Sequence, residues 1–270
     1  MSKQHVAFVT GAGRGIGEAI ARRLAKEGVA VVVAARTGQV CATIATSIRA
    51  GGGKAWPLTY DVGVREGVLP AVERARKLAL EVGPIDWLVN NAGIAHSAPF
   101  LAHGRDREMD QYEEHLRVNF HGARWLVEAL VPGMIERGYG RVVNIASSAG
   151  LKSYAYAAAY GASKHALVGY SQAAAQELRK SPVTMNVVCP HYVDSPMTDG
   201  TVKRIVEKTG KNEAETRAFL AAQNPGGQLV TEDEVAELVH ELCAGKQNGA
   251  VIELLGGGKR RVVEHGVQSA

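Results

Sequence analysis

The segment VAFVTGAGRGIG, residues 6–17, joins a short apolar run to a cluster of four glycines. The run Val6–Thr10 resembles the strands that are buried on both faces of a parallel sheet. Beyond the glycines, Ile20 and Leu24 are four residues apart and Gly28 follows, a spacing typical of a helix and its C-terminal stop. The segment therefore predicts a strand, a tight turn and a helix in succession.

The glycine cluster is placed where a phosphate could bind. Backbone N–H groups at the start of a helix, together with the helix dipole, attract anions. Gly11, Gly15 and Gly17 fit the pattern G-x-x-x-G-x-G, whereas the pattern G-x-G-x-x-G would need glycine where Ile16 stands. The alternative is a tight turn that binds no ligand.

The alternation of strand and helix continues along the chain. Short apolar runs predict strands at 6–10, 29–35, 54–60, 86–89, 141–145, 184–189 and 250–255. Helical spacing is found at 18–27, 39–50, 65–81, 106–137, 156–179, 201–223 and 232–244. Right-handed crossovers in a parallel sheet produce this alternation. We predict the α/β fold class: one domain over residues 1–270, with a doubly wound, seven-stranded parallel sheet and helices on both faces.

Composition narrows the possible partners. The 270 residues are 46% hydrophobic and 21% charged, with a formal net charge of +4, and the basic residues are scattered, which argues against a nucleic-acid partner. Cys41, Cys189 and Cys243 are far apart, which argues against a zinc site or a disulfide framework, and we expect no metal. No signal peptide and no apolar run of about 18 residues is visible, so we expect a cytoplasmic protein without a membrane partner.

A second stretch, SSAGLKSYAYAAAYGASK at 147–164, carries groups suited to proton transfer. Tyr160 and Lys164 are four residues apart, so on a helix the phenol and the ammonium share one face. A free tyrosine has a pKa near ~10, and a neighbouring cation lowers it toward the range useful for general acid–base catalysis. The alternative is that both are ordinary surface residues of a helix.

Four motifs occur in the order and at the spacings of the classical short-chain dehydrogenase/reductase family, which the chain resembles from position 6 to about position 257. They are Thr10-Gly-x-x-x-Gly-Ile-Gly17, Asn90-Asn-Ala-Gly93, Ser147 and Tyr160-x-x-x-Lys164. The resemblance implies a single-domain Rossmann fold and an oxidoreductase. The layout is similar to that of 3-oxoacyl reductases and 3-hydroxyacyl dehydrogenases.

The resemblance implies a role for each member of a catalytic set. Tyr160 would be the acid–base, and Lys164 would lower its pKa and hydrogen-bond the nicotinamide ribose. Ser147 would hold the substrate oxygen; Ser148 is the alternative, but the offset of thirteen residues from Tyr160 favours Ser147. Asn119 would support a water that links Lys164 to solvent.

The resemblance also implies a cofactor-binding set. Asp61 would close the adenine pocket, and Asn90 would line the cofactor cleft. The other expected contacts, together with Tyr160 and Lys164, are Gly11, Gly13, Arg14, Gly15, Ile16, Gly17, Arg36, Val62, Asn91, Ala92, Gly93, Pro190, His191, Val193 and Ser195.

The end of the second predicted strand bears on the choice of dinucleotide. An acidic residue there binds a free ribose 2′-hydroxyl, whereas a cation accommodates a 2′-phosphate. The strand ends Ala34-Ala35-Arg36-Thr37, without Asp or Glu, and Arg14 lies in the glycine turn. We therefore expect NADP(H) rather than NAD(H).

Some positions depart from the family pattern. The usual Pro-Gly after the sixth strand is Pro190-His191, and Ser195 replaces a common threonine. Val193 is expected to contact the carboxamide through its backbone. His191 either occupies a loop or contacts substrate or carboxamide, while His96 and Tyr154 are candidates for the pocket rim.

The expected reaction is hydride transfer between the nicotinamide and a secondary alcohol or ketone. A 3-oxoacyl or 3-hydroxyacyl thioester and a small cyclic or apolar alcohol both remain open as substrates. A nucleotide-sensing regulator on the same fold is the alternative outside enzymes, but such a regulator usually has a damaged tyrosine–lysine pair, which is intact here.

The last expectations concern the lid, the tail and assembly. Residues 191–225, rich in Lys and Arg, are expected to form a substrate lid, although they could be only a solvated helical face. Residues 259–270 are expected to form a short C-terminal tail. The resemblance implies a homotetramer or homodimer built through helices 106–137 and 156–179.

Overall fold

The computed structural model describes residues 4–100 and 110–263, and its strands form one sheet. The strands are β1 (Val6–Thr10), β2 (Ala30–Ala35), β3 (Ala55–Thr59), β4 (Ile85–Asn90), β5 (Gly140–Ile145), β6 (Val183–Pro190), β7 (Val251–Gly256) and β8 (Lys259–Val262). Their order across the sheet is β3-β2-β1-β4-β5-β6-β7-β8. β1 to β7 are parallel, and the winding reverses between β1 and β4, which is where such sheets bind ligands.

The helices cover both faces of the sheet, as predicted. They are α1 (Gly15–Lys26), α2 (Gly38–Ala50), α3 (Val68–Leu78), α4 (Gln111–Leu116), α5 (Gly122–Glu136), α6 (Ala158–Glu177), α7 (Pro196–Thr209), α8 (Glu213–Gln223) and α9 (Glu232–Ala244). A π-helical turn, Arg117–His121, joins α4 to α5.

Alternation along the strands divides the core into two layers. Ala7 and Val9 of β1 pack with α1, α2 and α9, whereas Val6 and Phe8 pack with α3, α5 and α6. Successive strand residues face opposite sides of a sheet, so a strand that is buried on both sides must be apolar throughout. This explains why β1 lacks polar alternation and confirms the doubly wound fold.

The sheet has an eighth strand, one more than the sequence predicts. Lys259–Val262 pairs antiparallel with β7, although these residues were expected to begin a tail. All four residues of β8 are exposed, so the segment carries no apolar signal of a strand. Residues 264–270 of the expected tail lie outside the described residues.

Two predicted helices also differ in detail. The helix expected at 201–223 is two helices, because Gly210 ends α7 in the left-handed region (φ 70°) and Asn212 caps α8 through the amide of Glu215. The described part of the long helix expected at 106–137 is interrupted by the π-helical turn between α4 and α5. Residues 106–109 lie outside the described residues.

A core substitution in β4 tests the packing. Leu88 is fully buried in this central strand, so Leu88→Ala should lower the free energy of unfolding by about 2–5 kcal/mol. Leu80, which is 78% exposed, is the matched control, and Leu80→Ala should change the free energy of unfolding by less than about 0.5 kcal/mol. Denaturant unfolding of both variants measures the difference, and equal effects would contradict the assignment of Leu88 to the core.

Candidate active site

A cavity of about 570 Å³ lies at the carboxyl ends of the parallel strands. Its wall comes from the turn after β1, the ends of β2, β4, β5 and β6, and the start of α7. Every residue expected to bind the cofactor except Asn90 lines this cavity, as do Ser147 and Tyr154. Asn90, Asn119 and His96 are outside its lining.

The glycine turn has the shape that a pyrophosphate requires. Gly11 and Gly15 adopt positive φ values of 63° and 60°, which disfavour a side chain. A Cβ on Gly17 would lie 2.2 Å from the carbonyl oxygen of Gly11, so this position cannot hold one without moving the backbone. α1 begins at Gly15 and presents its first N–H groups beside the cavity. These features fit the dinucleotide phosphates.

Hydrogen bonds join the glycine turn to the end of β4. Thr10 Oγ1 accepts from the backbone N–H groups of Asn91 (3.0 Å) and Ala92 (3.1 Å), and Asn91 Nδ2 donates to the Thr10 carbonyl (3.0 Å). Asn90, which was expected to line the cleft, is instead buried between strands and donates to Asn144 Oδ1 at 2.8 Å. The role of Thr10 was missed, since its hydroxyl reaches partners about eighty residues away.

The two adjacent serines have different partners. Ser147 lines the cavity close enough to the Tyr160 phenol to lower its pKa, and its Oγ accepts from the Ala149 amide at 3.1 Å. Ser148 is buried, and its Oγ lies 2.8 Å from the Tyr154 hydroxyl. This geometry favours Ser147 as the partner of Tyr160, and Ser148 orients Tyr154 at the cavity wall.

Tyr160 and Lys164 lie on α6, as the helical spacing predicts. Lys164 is 4% exposed, and its Nζ donates to the Ile145 carbonyl at 2.9 Å and lies 5.8 Å from the centre of the Tyr160 ring. A Cβ on Gly93 would come within 3.5 Å of that Nζ, so a glycine here leaves room beside the ammonium.

Burial controls the titration of this pair. It raises the pKa of Tyr160 to about 12, although the neighbouring Ser147 hydroxyl acts in the opposite direction. It lowers the pKa of Lys164 to about 8. In the chain itself the Tyr160 pKa is therefore raised by desolvation, opposite to the lowering expected from Lys164. The phenol is protonated at neutral pH and can donate its proton to a carbonyl oxygen.

Asn119 lies in the π-helical turn, 1% exposed. Its Nδ2 donates to the Ile94 carbonyl (3.0 Å) and to Ser163 Oγ (2.9 Å), while its Oδ1 accepts from the Ile94 amide (2.8 Å). The side chain therefore joins the segment after β4 to α6. Single π-helical turns are frequent at functional sites.

Two guanidinium groups lie at the other end of the cavity. Arg14 and Arg36 are both exposed and line it, and within the described residues neither side chain has a hydrogen bond or an ion pair. Asp61, also in the wall, accepts from the Gly63 amide at 2.8 Å. This end can therefore bind an anion without first breaking an ion pair.

The segment after β6 contains a buried histidine. His191 Nε2 lies 2.6 Å from Glu253 Oε1, and the His191 side chain is fully buried. Val193 pairs with Val230, and both Val193 and Ser195 line the cavity. His191 lies in the loop after β6, as the first alternative from the sequence had it, and the burial of its side chain against Glu253 was not anticipated.

The substrate side has a further histidine that sequence reasoning missed. His115 of α4 is fully buried, and its ring centre lies 6.3 Å from that of Tyr160. His115 Nε2 accepts from the backbone amide of His96 at 3.1 Å. His96, a candidate for the rim, therefore holds the His115 ring through its backbone amide instead. The sequence feature that could have indicated His115 is a polar residue on the buried face of a helix.

The expected lid corresponds to α7 and α8. Met197, Thr198 and Thr201 of α7 line the cavity. Arg217 of α8 pairs with Asp194 at 2.5 Å and also with Asp199. These ion pairs connect α8 to the start of α7.

Residues 4–100 and 110–263 contain no cluster of three His, Cys, Asp or Glu side chains suited to a metal. No helix within these ranges has the length and apolar character needed to cross a membrane.

Comparison with known proteins agrees with this geometry. The family model described as short chain dehydrogenase matches residues 5–205. The short-chain reductase protein NovJ of Streptomyces niveus is 37% identical over 239 residues, 88% of this chain and 87% of that protein. The 3-oxoacyl-[acyl-carrier-protein] reductase FabG of Aquifex aeolicus is 32% identical over 256 residues, 93% of this chain and 96% of that protein.

A solved structure is similar over nearly the whole chain. It is a variant of the actinorhodin polyketide ketoreductase with NADPH, with a TM-score of 0.86 and 33% identity, and the match covers 95% of this chain and 98% of that one. The family match, the two relatives and this shared fold identify the chain as an oxidoreductase of the classical short-chain dehydrogenase/reductase family.

Proposed function

We propose that the protein is an NADP(H)-dependent ketoreductase that reduces a 3-oxoacyl thioester to the 3-hydroxyacyl product. The observation that carries this proposal is the position of the Tyr160 phenol. It lies beside Ser147 inside a cavity whose far end is a glycine turn that fits dinucleotide phosphates. A proton donor and a site for a hydride donor in one cavity are what carbonyl reduction requires.

The side chains divide the work of the reduction. When bound, the nicotinamide supplies the hydride that the carbonyl carbon accepts. Ser147 Oγ donates a hydrogen bond to the carbonyl oxygen and orients it toward Tyr160. Tyr160 then transfers its phenolic proton to that oxygen, and the product is the alcohol. Lys164, whose pKa of about 8 is close to neutral, is suited to return a proton to the phenolate.

The preference for NADP(H) is supported by Arg14 and Arg36. Both line the cavity at the end of β2 and the glycine turn, and among the described residues no carboxylate pairs with either one. A 2′-phosphate would neutralise them without displacing an ion pair. A free 2′-hydroxyl would leave both cations without an anionic partner.

The substrate class is supported by the open side of the cavity. Tyr154 and Tyr192 add phenols to the wall beyond Tyr160, suited to a second polar group near the reacting carbonyl. Lys203 and Lys208 of α7 are exposed and could meet an anionic carrier arm. The names of the relatives reported above, a ketoreductase and a 3-oxoacyl reductase, favour this class over a small apolar alcohol.

Turnover of a substrate panel tests the proposal. The protein should oxidise NADPH with an acetoacetyl thioester faster than with small cyclic ketones, and the loss of NADPH absorbance measures both. Dinucleotide binding without turnover of any ketone or alcohol in either direction would instead support the nucleotide-sensing regulator.

Tyr160→Phe tests the proton donor. Without the phenolic proton the ketone reduction should fall by at least about 100-fold, the size expected for a lost general acid, while the Kd for NADPH stays within about twofold. Steady-state rates and fluorescence titration measure the two quantities. Tyr170→Phe, the same change on α6 outside the cavity lining, is the control and should keep its activity. Full turnover by Tyr160→Phe would exclude the assigned role.

Arg36→Asp tests the choice of dinucleotide. The carboxylate would repel a 2′-phosphate and accept a hydrogen bond from a free ribose, so kcat/KM for NADPH relative to NADH should fall by at least about tenfold. Arg179→Asp makes the same charge change on an exposed residue after α6 and should leave the ratio unchanged. Equal efficiency of the two dinucleotides with the parent protein would contradict the preference.

A further inference from the structure

A chain of three side chains runs from the sheet edge to the cavity wall. Arg261 of β8 pairs with Glu253 of β7, its Nε lying 3.0 Å from Glu253 Oε2. The other oxygen, Oε1, lies 2.6 Å from His191 Nε2. Glu253 is 2% exposed and His191 5% exposed, whereas the side chain of Arg261 is 65% exposed.

The strand register brings these residues together. Glu253 is directly opposite Arg261 in the antiparallel pair and opposite Cys189 in the parallel pair of β6 and β7. His191 follows β6 and donates its backbone N–H to the Leu254 carbonyl at 3.0 Å. A carboxylate buried between strands is strongly unfavourable unless both oxygens are paired, and here both are.

The hydrogen bonds of Glu253 determine the protonation state and the tautomer of the His191 ring. Burial would raise the pKa of Glu253, but the hydrogen bonds from His191 and Arg261 outweigh it and lower that pKa. Burial lowers the pKa of His191, and the nearby cations Lys152 and Arg261 lower it further. Glu253 raises this pKa, but the net shift is downward. The pair is therefore a carboxylate and a neutral imidazole that donates Nε2–H. His191 Nδ1, buried and without a partner among the described residues, carries no proton.

The segment held by this chain forms part of the active-site wall. Pro190, His191, Tyr192, Val193 and Ser195 all line the cavity. Tyr192 and Cys189 lie close enough to Tyr160 to influence its pKa. The backbone of residues 190–195 therefore lies beside the proton donor.

We propose that Arg261 and Glu253 are positioning residues that act through the His191 ring to fix the backbone of residues 190–195 against the bound dinucleotide. The proposal rests on the proposed function only in that this cavity binds a nicotinamide dinucleotide. It gives β8, an exposed edge strand, a role in the site. It also explains why a histidine can stand where the family pattern has glycine.

Arg261→Met tests the proposal, with Arg260→Met as the matched control. Arg260 is the neighbouring residue of β8, and it pairs with Glu241 of α9 on the surface. Because this replacement leaves one buried oxygen of Glu253 unpaired, denaturant unfolding first checks that each variant is folded. The Kd of NADPH and of NADH, each measured by fluorescence titration, should rise at least about threefold for Arg261→Met and less than about twofold for Arg260→Met. Equal Kd values for the two variants would overturn the proposal.

The tautomer of His191 gives a readout that is independent of catalysis. In ¹⁵N NMR spectra of the parent chain, His191 should be neutral with the proton on Nε2. A parent histidine protonated on Nδ1, or protonated on both ring nitrogens at neutral pH, would refute the arrangement. Neither measurement requires ketone turnover, so failure of the ketoreductase assignment would be seen separately.

Discussion

The close contact between the glycine turn and the end of β4 is the constraint on which the cavity depends. A Cβ on Gly17 would lie 2.5 Å from Asn91 Nδ2 as well as 2.2 Å from the Gly11 carbonyl oxygen. Thr10 and Asn91 hold the two segments together across the point where the winding reverses. Because the helices on either side of that point lie on opposite faces of the sheet, the gap between them stays open for a ligand.

Burial then decides the chemistry at the other end of the cavity. The same desolvation that raises the Tyr160 pKa lowers that of Lys164, so both groups favour their neutral forms. The ordinary pKa values of tyrosine and lysine, 10.0 and 10.5, are close together, but in this site they move apart to about 12 and about 8, and their order is reversed. Lys164 releases a proton near pH 8 while Tyr160 retains its own, which suits a phenol that donates and a lysine that exchanges.

Local patterns predicted much of the fold and the site. The apolar run of β1, the glycine spacing and the helical interval from Tyr160 to Lys164 each depend on neighbours in sequence, and the structure has all three. Features set by distant partners were missed. β8 depends on pairing with β7, the hydrogen bond of His191 depends on Glu253, and the direction of the Tyr160 pKa shift depends on burial.

The paired carboxylate at Glu253 also affects Cys189, a buried thiol close to the proton donor. Burial raises the pKa of the Cys189 thiol to about 12. The charge of Lys164 lowers this pKa and the charge of Glu253 raises it. Cys189 thus lies between a buried cation and a buried anion. An uncompensated anion there would stabilise the charged form of Lys164 and disfavour the phenolate of Tyr160. Glu253 is not left uncompensated, because the Arg261 guanidinium pairs with it from the exposed side of β8.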